Sequence, residues 1–413
     1  MTTDEHLPRT SIMIIVLGAI TAFDAMAIDL YLPGFRDIGS ALGASPAAMQ
    51  ATLAAFVGGA AIGQLFYGPL ADRIGRRAPL AMGMVLFVAA SVLAALSWDV
   101  ETLIVARGLQ GLGAAAGLVI PRAIIADRYR GREIAKLFSA LLQVMMIAPV
   151  LAPPIGGVLV AALGWEAIFW ALGLFGVASL VALFALVPET LKTEGLATTG
   201  LRAALIDYAG FFKRGRLSWM MLSSAFSMAG LFAYIGSSSF VFVDHFGLSP
   251  FVYSLVLAGN AVGMVVVAQI NVLLLGRWSE RQILVSGLGL HGACCVALLV
   301  ATLGFDAGLY VVGALIFLAM STLSLTIGNG FALVMQNAPV RLAGSVSSLL
   351  GVAQYALAGI AGVVLAIAYD ATLTPFILTL LACAAAALLT LAIAMRMPAE
   401  PARLLEDRAP EHK

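Results

Sequence analysis

The stretch that decides the fold is Gly68-Pro-Leu-Ala-Asp-Arg-Ile-Gly-Arg-Arg-Ala-Pro-Leu80, a short charged segment between two long apolar runs. These runs cover about 47–70 and 78–97, and each is near the ~20 residues that a helix needs to cross a bilayer. A backbone in lipid must satisfy its polar groups within a helix or a closed barrel, and the runs show no strand alternation. Both are therefore predicted to be transmembrane helices.

Ten further apolar runs of similar length lie outward from this segment. They cover about 11–32, 101–126, 134–162, 166–187, 217–243, 251–275, 282–303, 307–335, 343–369 and 374–395. The first run is too long for a signal-peptide core, contains two acids and lacks a small-x-small cleavage site, so we expect it to be retained as a helix. The sequence thus predicts an all-α membrane protein with twelve transmembrane helices.

The composition agrees with a polytopic membrane protein. Of the 413 residues, 62% are hydrophobic and only 11% are charged, whereas a soluble domain is typically about a quarter charged. The formal net charge of +1 gives no basic surface for nucleic acid, so no nucleic-acid partner is expected. All three cysteines lie inside apolar runs, which favours packing roles over a disulfide framework.

The basic residues predict the orientation, because cytoplasmic loops retain Lys and Arg. One side of the predicted membrane holds 20 of the 23 Lys and Arg residues, and the opposite loops hold only Arg36. We expect both termini in the cytoplasm of a bacterium and the spans in its inner membrane. The longest polar break predicts a six-helix half at 1–190, a central cytoplasmic loop at 191–216, a second half at 217–397 and a cytoplasmic tail at 398–413.

Weak internal similarity indicates that the two halves arose by duplication. Ser45-Pro46 opens the second run as Ser249-Pro250 opens the eighth, and Gly68-x-x-x-Asp72-Arg73 recurs as Gly276-x-x-x-Glu280-Arg281. Two parallel-related six-helix halves form one known transporter plan, with the substrate site near the midplane.

The segment at 68–80 resembles the signature loop of the major facilitator superfamily. That resemblance implies two pseudo-symmetric six-helix bundles and a loop that acts as a conformational latch, with Asp72 and Arg76 engaging neighbouring helix ends. The residues assigned to the latch are Gly68, Asp72, Arg73, Gly75, Arg76 and, as a partner at the end of the fourth run, Asp127. The alternative is an ordinary positively charged cytoplasmic loop.

Two acids lie inside the first apolar run, in Phe23-Asp-Ala-Met-Ala-Ile-Asp-Leu-Tyr-Leu-Pro-Gly34. Ionisable residues at membrane depth are costly and usually mark function, so Asp24 and Asp29 are candidates for proton coupling. On a regular helix they lie about 140° apart, so they cannot point at one spot. Asp29 is the primary candidate; Asp24 is a second protonation site, a cationic-drug site or a packing residue.

A buried arginine in the fourth run, Arg107, is the third residue assigned to proton coupling. It begins Arg107-Gly-Leu-Gln-Gly-Leu-Gly113, which resembles the arginine motif of the same superfamily, and a buried guanidinium needs an anion nearby. The expected depth of Arg107 matches that of Asp29, so the two are predicted to pair. The alternative is a static ion pair that holds the first and fourth helices together.

The fifth run is rich in proline and glycine. Prolines kink a helix and glycines allow close approach of another helix, so the alternative interpretation is a bent packing helix. The pattern also resembles the superfamily's antiporter motif, and it is the main reason to predict export. The motif residues are Pro149, Pro153, Pro154, Gly156 and Gly157, and the eighth run, with Gly259-Asn260, is the expected packing partner.

Two shorter matches, Ala27–Pro33 and Ala343–Gly351, resemble the bicyclomycin and chloramphenicol resistance branch of the superfamily. Polar or adaptable residues at membrane depth are then candidates for a mostly apolar substrate cavity. Each could instead bridge helices by a hydrogen bond. The candidates are Tyr31, Gln110, Gln143, Met146, Tyr234, Asn260, Asn329, Gln354 and Tyr355.

The energy source is predicted from what the sequence lacks. No lysine stands in a Gly-Lys-Ser/Thr loop, and no His-Glu-x-x-His or Cys-x-x-Cys occurs. ATP hydrolysis and metal chemistry are therefore not expected, and the intramembrane acids make a proton gradient the predicted energy source. Together with the resemblances, this predicts a non-enzymatic, monomeric drug:proton antiporter in membrane lipid, without metal or cofactor, that exports small amphiphilic drugs. The alternatives are a facilitator or proton symporter for a small polar solute and a non-transporting receptor on the same fold.

Overall fold

The computed structural model describes residues 6–129, 132–190, 215–338, 343–370 and 372–398, and their regular secondary structure is helical, without a strand among them. In chain order the helices are α1 His6–Thr21, α2 Phe23–Asp29, α3 Phe35–Ala41, α4 Pro46–Ile74, α5 Arg77–Ala95, α6 Val100–Arg128, α7 Arg132–Leu163, α8 Glu166–Leu186, α9 Gly215–Ser239, α10 Pro250–Leu274, α11 Glu280–Phe305, α12 Leu309–Gln336, α13 Ala343–Ala368 and α14 Thr374–Arg396. A helix lies at each of the twelve predicted runs. The all-α prediction is confirmed.

Ten of these helical segments are long and apolar enough to cross a membrane, and the bent pair Ile12–Thr21 and Phe23–Ala41 makes an eleventh. The remaining predicted run, the fifth, corresponds to α7. The continuous part of α7 whose side chains the structure describes, Ile147–Leu163, is apolar but shorter than a full span. A span of about 30 Å needs roughly 20 helical residues. The predicted boundaries therefore agree with the helices to within a few residues, apart from the first run.

The first run is not one straight helix to Leu32. It bends by 46° between Ile12–Thr21 and Phe23–Ala41, and a 3₁₀ turn at Leu32–Gly34 separates α2 from α3. Pro33 causes part of this irregularity, because it has no N–H to donate to the carbonyl four residues earlier, that of Asp29. The chain thus changes helical geometry directly after the second intramembrane acid.

The described residues cluster into two compact units. One comprises those within Met1–Leu201, Ile235–Val262 and Gly362–Thr372, and the other those within Arg202–Tyr234, Gly263–Ala361 and Leu373–Lys413. In the second unit α11 packs on α12 and α14. The division of the sequence at 191–216 into two duplicated halves stays a prediction.

In the first unit α6 packs on α4 and α5. The approach of α4 to α6 depends on glycine: a Cβ on Gly111 would lie 1.9 Å from the carbonyl oxygen of Phe56, and one on Gly59 would lie 2.0 Å from that of Gly108. Helices in lipid associate by such close backbone contact, because burial of apolar side chains gives them no advantage there. This packing sets the positions of the polar side chains on α4 and α6.

Candidate functional site

Arg107, on α6, is the largest side chain that the first unit buries completely. Its guanidinium lies between two aromatic rings, 4.5 Å from the ring centre of Tyr31 and 4.5 Å from that of Phe56. A guanidinium over an aromatic face gains about 2 kcal/mol or more when it is desolvated. The two rings therefore stabilise a charge that would otherwise be costly at this depth.

A chain of hydrogen bonds continues from the guanidinium toward α5. Nη1 of Arg107 donates to Oε1 of Gln110 at 2.5 Å, Nε2 of Gln110 donates to Oγ of Ser91 at 2.8 Å, and that hydroxyl donates to the carbonyl of Phe87 at 2.7 Å. Nε and Nη2 of Arg107 are buried without a hydrogen-bond partner among the described residues. Gln110 thus orients Arg107. The Nε and Nη2 donors of Arg107 remain available for a further hydrogen bond.

On the other side of the guanidinium, Tyr31 is held in place by α4. Its hydroxyl lies 2.7 Å from Oγ1 of Thr52, and Thr52 donates in turn to the carbonyl of Met49 at 2.6 Å. Tyr31, predicted as a substrate contact, is completely buried and supports Arg107.

The structure does not pair Arg107 with Asp29 as predicted. No ion pair joins them among the described residues, and the carboxyl that interacts electrostatically with Arg107 is that of Asp24. Matching depth was the basis of the expected pair, but depth does not fix the direction in which a side chain leaves a bent helix. Asp24 is buried and Asp29 is half-buried, and their carboxyls interact with each other.

The proline and glycine motif brings α7 against the irregular stretch that follows Asp29. All three prolines lie inside α7, and a Cβ on Gly156 would lie 2.3 Å from the carbonyl oxygen of Leu30. Gly157 faces Ser254 of α10, whose Oγ would be 3.1 Å from a Cβ on the glycine. The eighth run is thus a packing partner of α7, through Ser254.

Arg76 is the centre of the predicted latch. Its Nε donates to Oδ2 of Asp127 at 2.8 Å, its Nη2 to Oδ1 of the same residue at 3.3 Å, and its Nη1 to Oδ1 of Asp72. Burial lowers the pKa of Arg76, but the hydrogen bonds to Asp127 and Asp72 and the charges of these two acids together raise it more, so the net shift is upward and the arginine stays charged. The latch thus joins the ends of α4 and α6 through one guanidinium.

Two other predicted latch residues have different surroundings. Gly75 has φ of 98°, a left-handed conformation that favours glycine, and it ends α4. Arg73 is exposed and forms no ion pair with any residue that the structure describes. Gly68 lies inside α4.

Glu189, which the sequence analysis missed, completes the latch. Its Oε1 accepts from the backbone N–H of Arg76 at 2.9 Å and its Oε2 from that of Arg77 at 3.0 Å. A carboxylate that accepts from the first N–H groups of a helix both caps it and complements its dipole. Arg76 and Glu189 are 113 residues apart in sequence. The only signal for this contact in the sequence is the position of Pro188-Glu189 directly after the sixth apolar run.

Comparison with known proteins agrees with this architecture. The sequence model of the Major Facilitator Superfamily matches residues 16–363, most of the chain. The chain belongs to the Major Facilitator Superfamily. It is therefore a multi-pass membrane transporter and not an enzyme, and the predicted membership of this superfamily is confirmed.

Relatives place it near drug-resistance members of the superfamily. The chain is 33% identical over 342 residues to the "Uncharacterized MFS-type transporter YdgK" of Bacillus subtilis, covering 81% of this chain and 84% of the relative. It is 27% identical over 374 residues to the "Bicyclomycin resistance protein homolog" of Haemophilus influenzae, covering 91% and 94%. The predicted resemblance to the bicyclomycin branch is confirmed.

A solved structure supports the fold. A crystal structure of a D-xylose-proton symporter superposes with a TM-score of 0.74, covering 94% of this chain and 98% of that one. At 15% identity the likeness concerns the superfamily fold alone.

The remaining substrate candidates are scattered. Asn329 donates to Oδ1 of Asn271 at 2.8 Å, and Gln354 donates to Oγ of Ser224 at 3.0 Å, so both make the helix-bridging bonds of the alternative interpretation. Tyr355 lies 5.5 Å, between ring centres, from Phe232. Buried positions are also found for Tyr234 and Asn260. The side chains of Gln143 and Met146 lie outside the described residues.

Proposed function

We propose that this chain is a drug:proton antiporter of the bacterial inner membrane, with both termini cytoplasmic, that exports small amphiphilic drugs such as bicyclomycin, chloramphenicol or florfenicol. The observation that carries the proposal is the cluster of Asp24, Asp29 and Arg107 within two membrane-spanning segments. Charges at this depth are costly and are retained where they take part in ion or proton movement. The name of the Haemophilus relative supports the drug class.

The geometry supports a particular division of work between the two acids. Like charges repel strongly in low-dielectric surroundings, so two interacting carboxyls favour one ionised and one protonated member. Asp24 interacts electrostatically with Arg107, while Asp29 lies half-buried next to the helix break. Asp29 remains the proposed carrier, and Asp24 compensates the arginine.

The transport cycle follows alternating access. With the site open to the periplasm, Asp29 takes a proton and its hold on the bound drug weakens. With the site open to the cytoplasm, the proton leaves and drug binds again. The contact between Gly156 and the Leu30 carbonyl supports a coupling between this event and α7, because movement of α7 displaces the backbone next to Asp29.

Everted membrane vesicles test the proposal. With an acid interior, an antiporter accumulates radiolabelled chloramphenicol or bicyclomycin, whereas a proton symporter depletes them. We expect Asp29→Asn to abolish accumulation driven by the pH gradient, and Asp24→Asn to reduce it. The matched control is Asp37→Asn, an exposed acid on α3 that should change the rate by less than about twofold.

The outcome separates the candidate functions. Full gradient-driven accumulation in Asp29→Asn removes this residue from the mechanism. Depletion of drug in the wild type, or transport indifferent to the gradient, favours the symporter or facilitator interpretation instead.

A further inference from the structure

A cleft in the first unit lies outside the cluster around Arg107. Its volume is about 470 Å³, and its walls come from α3, the start of α4, the π-helical turn Phe240–His245 and the residue after α13, Tyr369. Pockets for drug-sized molecules have volumes of roughly 300–1,000 Å³ and mostly apolar walls with a few polar groups. The predicted orientation places this cleft on the periplasmic side, where Arg36 lies.

Gln50 is the polar group that points to a ligand. It is 7% exposed and donates from Nε2 to the carbonyl of Gly236, while its Oε1 is buried without a hydrogen-bond partner in the described part of the chain. A buried acceptor without a donor is unfavourable, so it is a place where a ligand O–H or N–H gains a bond at little cost.

The charges in the cleft cancel. Nε of Arg36 lies 3.6 Å from Oδ1 of Asp244, and both side chains keep exposed surface on which further bonds can form. A neutral ligand can use the donors of the arginine and the free oxygen of the acid without breaking the ion pair, whereas a charged ligand would repel one partner. The cleft therefore suits a neutral molecule that both donates and accepts hydrogen bonds.

Aromatic side chains supply the apolar wall. Phe240 and Tyr369 meet edge to face with ring centres 5.1 Å apart, and Phe35 and Met49 line the same cleft. Edge-to-face rings leave a face free for a third aromatic group.

We propose that this cleft is a second ligand site, separate from the Asp24, Asp29 and Arg107 cluster, for neutral aromatic amphiphiles that carry a hydroxyl or amide N–H. The inference rests on the proposed function, because drug export determines the kind of ligand that reaches the cleft. The cleft lies at the end of the path that export would follow. It would hold the drug after the drug leaves the membrane interior.

Protection of an engineered thiol tests the site in the full-length protein reconstituted in nanodiscs. Ser40 is exposed and lines the cleft, and the native cysteines Cys294, Cys295 and Cys383 are buried. Chloramphenicol at ten times its dissociation constant should slow maleimide labelling of Ser40→Cys roughly tenfold, in proportion to the unoccupied fraction. Trp98→Cys, an exposed site outside the cleft, should label at the same rate with or without drug.

Second variants separate occupancy from a distant conformational change. Added to Ser40→Cys, Gln50→Leu and Asp244→Asn should each weaken the protection, whereas Gln64→Leu, another buried glutamine on α4 outside the cleft, should not. The proposal is overturned if neither chloramphenicol nor florfenicol protects the thiol, or if protection is unchanged in both Gln50→Leu and Asp244→Asn.

Drug efflux from vesicles is scored separately with the same protein. Protection without gradient-driven efflux sustains the cleft and overturns the proposed function. Gradient-driven efflux without protection of the thiol sustains the proposed function and overturns the cleft as a ligand site.

Discussion

Substituting Gly111 by alanine tests the packing that holds the arginine cluster. The added Cβ would lie 1.9 Å from the carbonyl oxygen of Phe56 and 2.7 Å from its carbonyl carbon, both backbone atoms that no rotamer change can move. The helices would have to separate by about 1 Å or more to reach ordinary contact. Overpacking of this kind costs about 1–3 kcal/mol, and the rigid partner places this site at the upper end.

The same substitution brings a gain that must be subtracted. Alanine is favoured over glycine in a helix interior by about 1 kcal/mol, so we expect a net loss of about 2 kcal/mol. Gly108 provides the matched control on the same helix, because the nearest atom to its added Cβ is the Ala55 carbonyl oxygen at 3.7 Å, an ordinary contact. Gly108→Ala should therefore be neutral or stabilising.

Thermal unfolding of the purified protein, followed by loss of the monodisperse chromatographic peak, compares the two variants. We expect Gly111→Ala to unfold several degrees below the wild type and Gly108→Ala to unfold at or above it. Because Phe56 stacks on Arg107, Gly111→Ala should also slow drug transport. Equal unfolding temperatures for the two variants would refute the argument from close backbone approach.

Three further predictions concern the latch and the helix ends. Arg76→Ala should slow transport about tenfold, since it removes charge-assisted bonds to Asp127, whereas exposed Arg73→Ala should stay within about twofold; equal effects in a vesicle assay would contradict the latch. Glu189→Gln should raise amide hydrogen exchange in the first turn of α5, because it removes the charge that caps two N–H groups, and unchanged exchange would exclude the cap. Asp99 caps α6, and its hydrogen bonds with Thr102 lower its pKa from 3.8. The stability that this cap contributes is thus fully present above pH 3.8, the pKa in the unfolded chain, and it is lost as the pH falls through the lower pKa of the folded protein. The unfolding temperatures of wild type and Asp99→Ala should therefore converge only in strong acid.

Much of the fold could be predicted from the sequence, because apolar length is a local property that a bilayer tests directly. The twelve runs, the latch loop and the buried ionisable residues all needed only neighbouring residues for their prediction. The first run was the exception. Its bend and 3₁₀ turn depend on how the chain around Pro33 packs. Packing of this kind cannot be predicted from the hydropathy of the run.

The site was predictable in its residues more than in its contacts. Sequence reasoning selected Asp24, Asp29 and Arg107, but it paired the arginine with Asp29, whereas in the structure Arg107 interacts with the carboxyl of Asp24. Tyr31 packs against the arginine, and its contact with substrate stays a prediction. The two aromatic faces around Arg107 come from separate parts of the chain, Tyr31 from the turn after α2 and Phe56 from α4. No spacing in the sequence places them there.

The sequence by itself determined that this chain is a helical membrane transporter with charges inside its spans, because composition and short motifs are enough to fix membrane insertion and the signature loop. Only the tertiary structure decided which groups meet: Glu189 with the start of α5, Asp24 beside Arg107, and Gln50 with Asp244 in one cleft. The physical reason is that such contacts join residues far apart in the chain. Their geometry follows from helix rotation, bends and glycine-dependent approach, which the packing of the whole bundle sets.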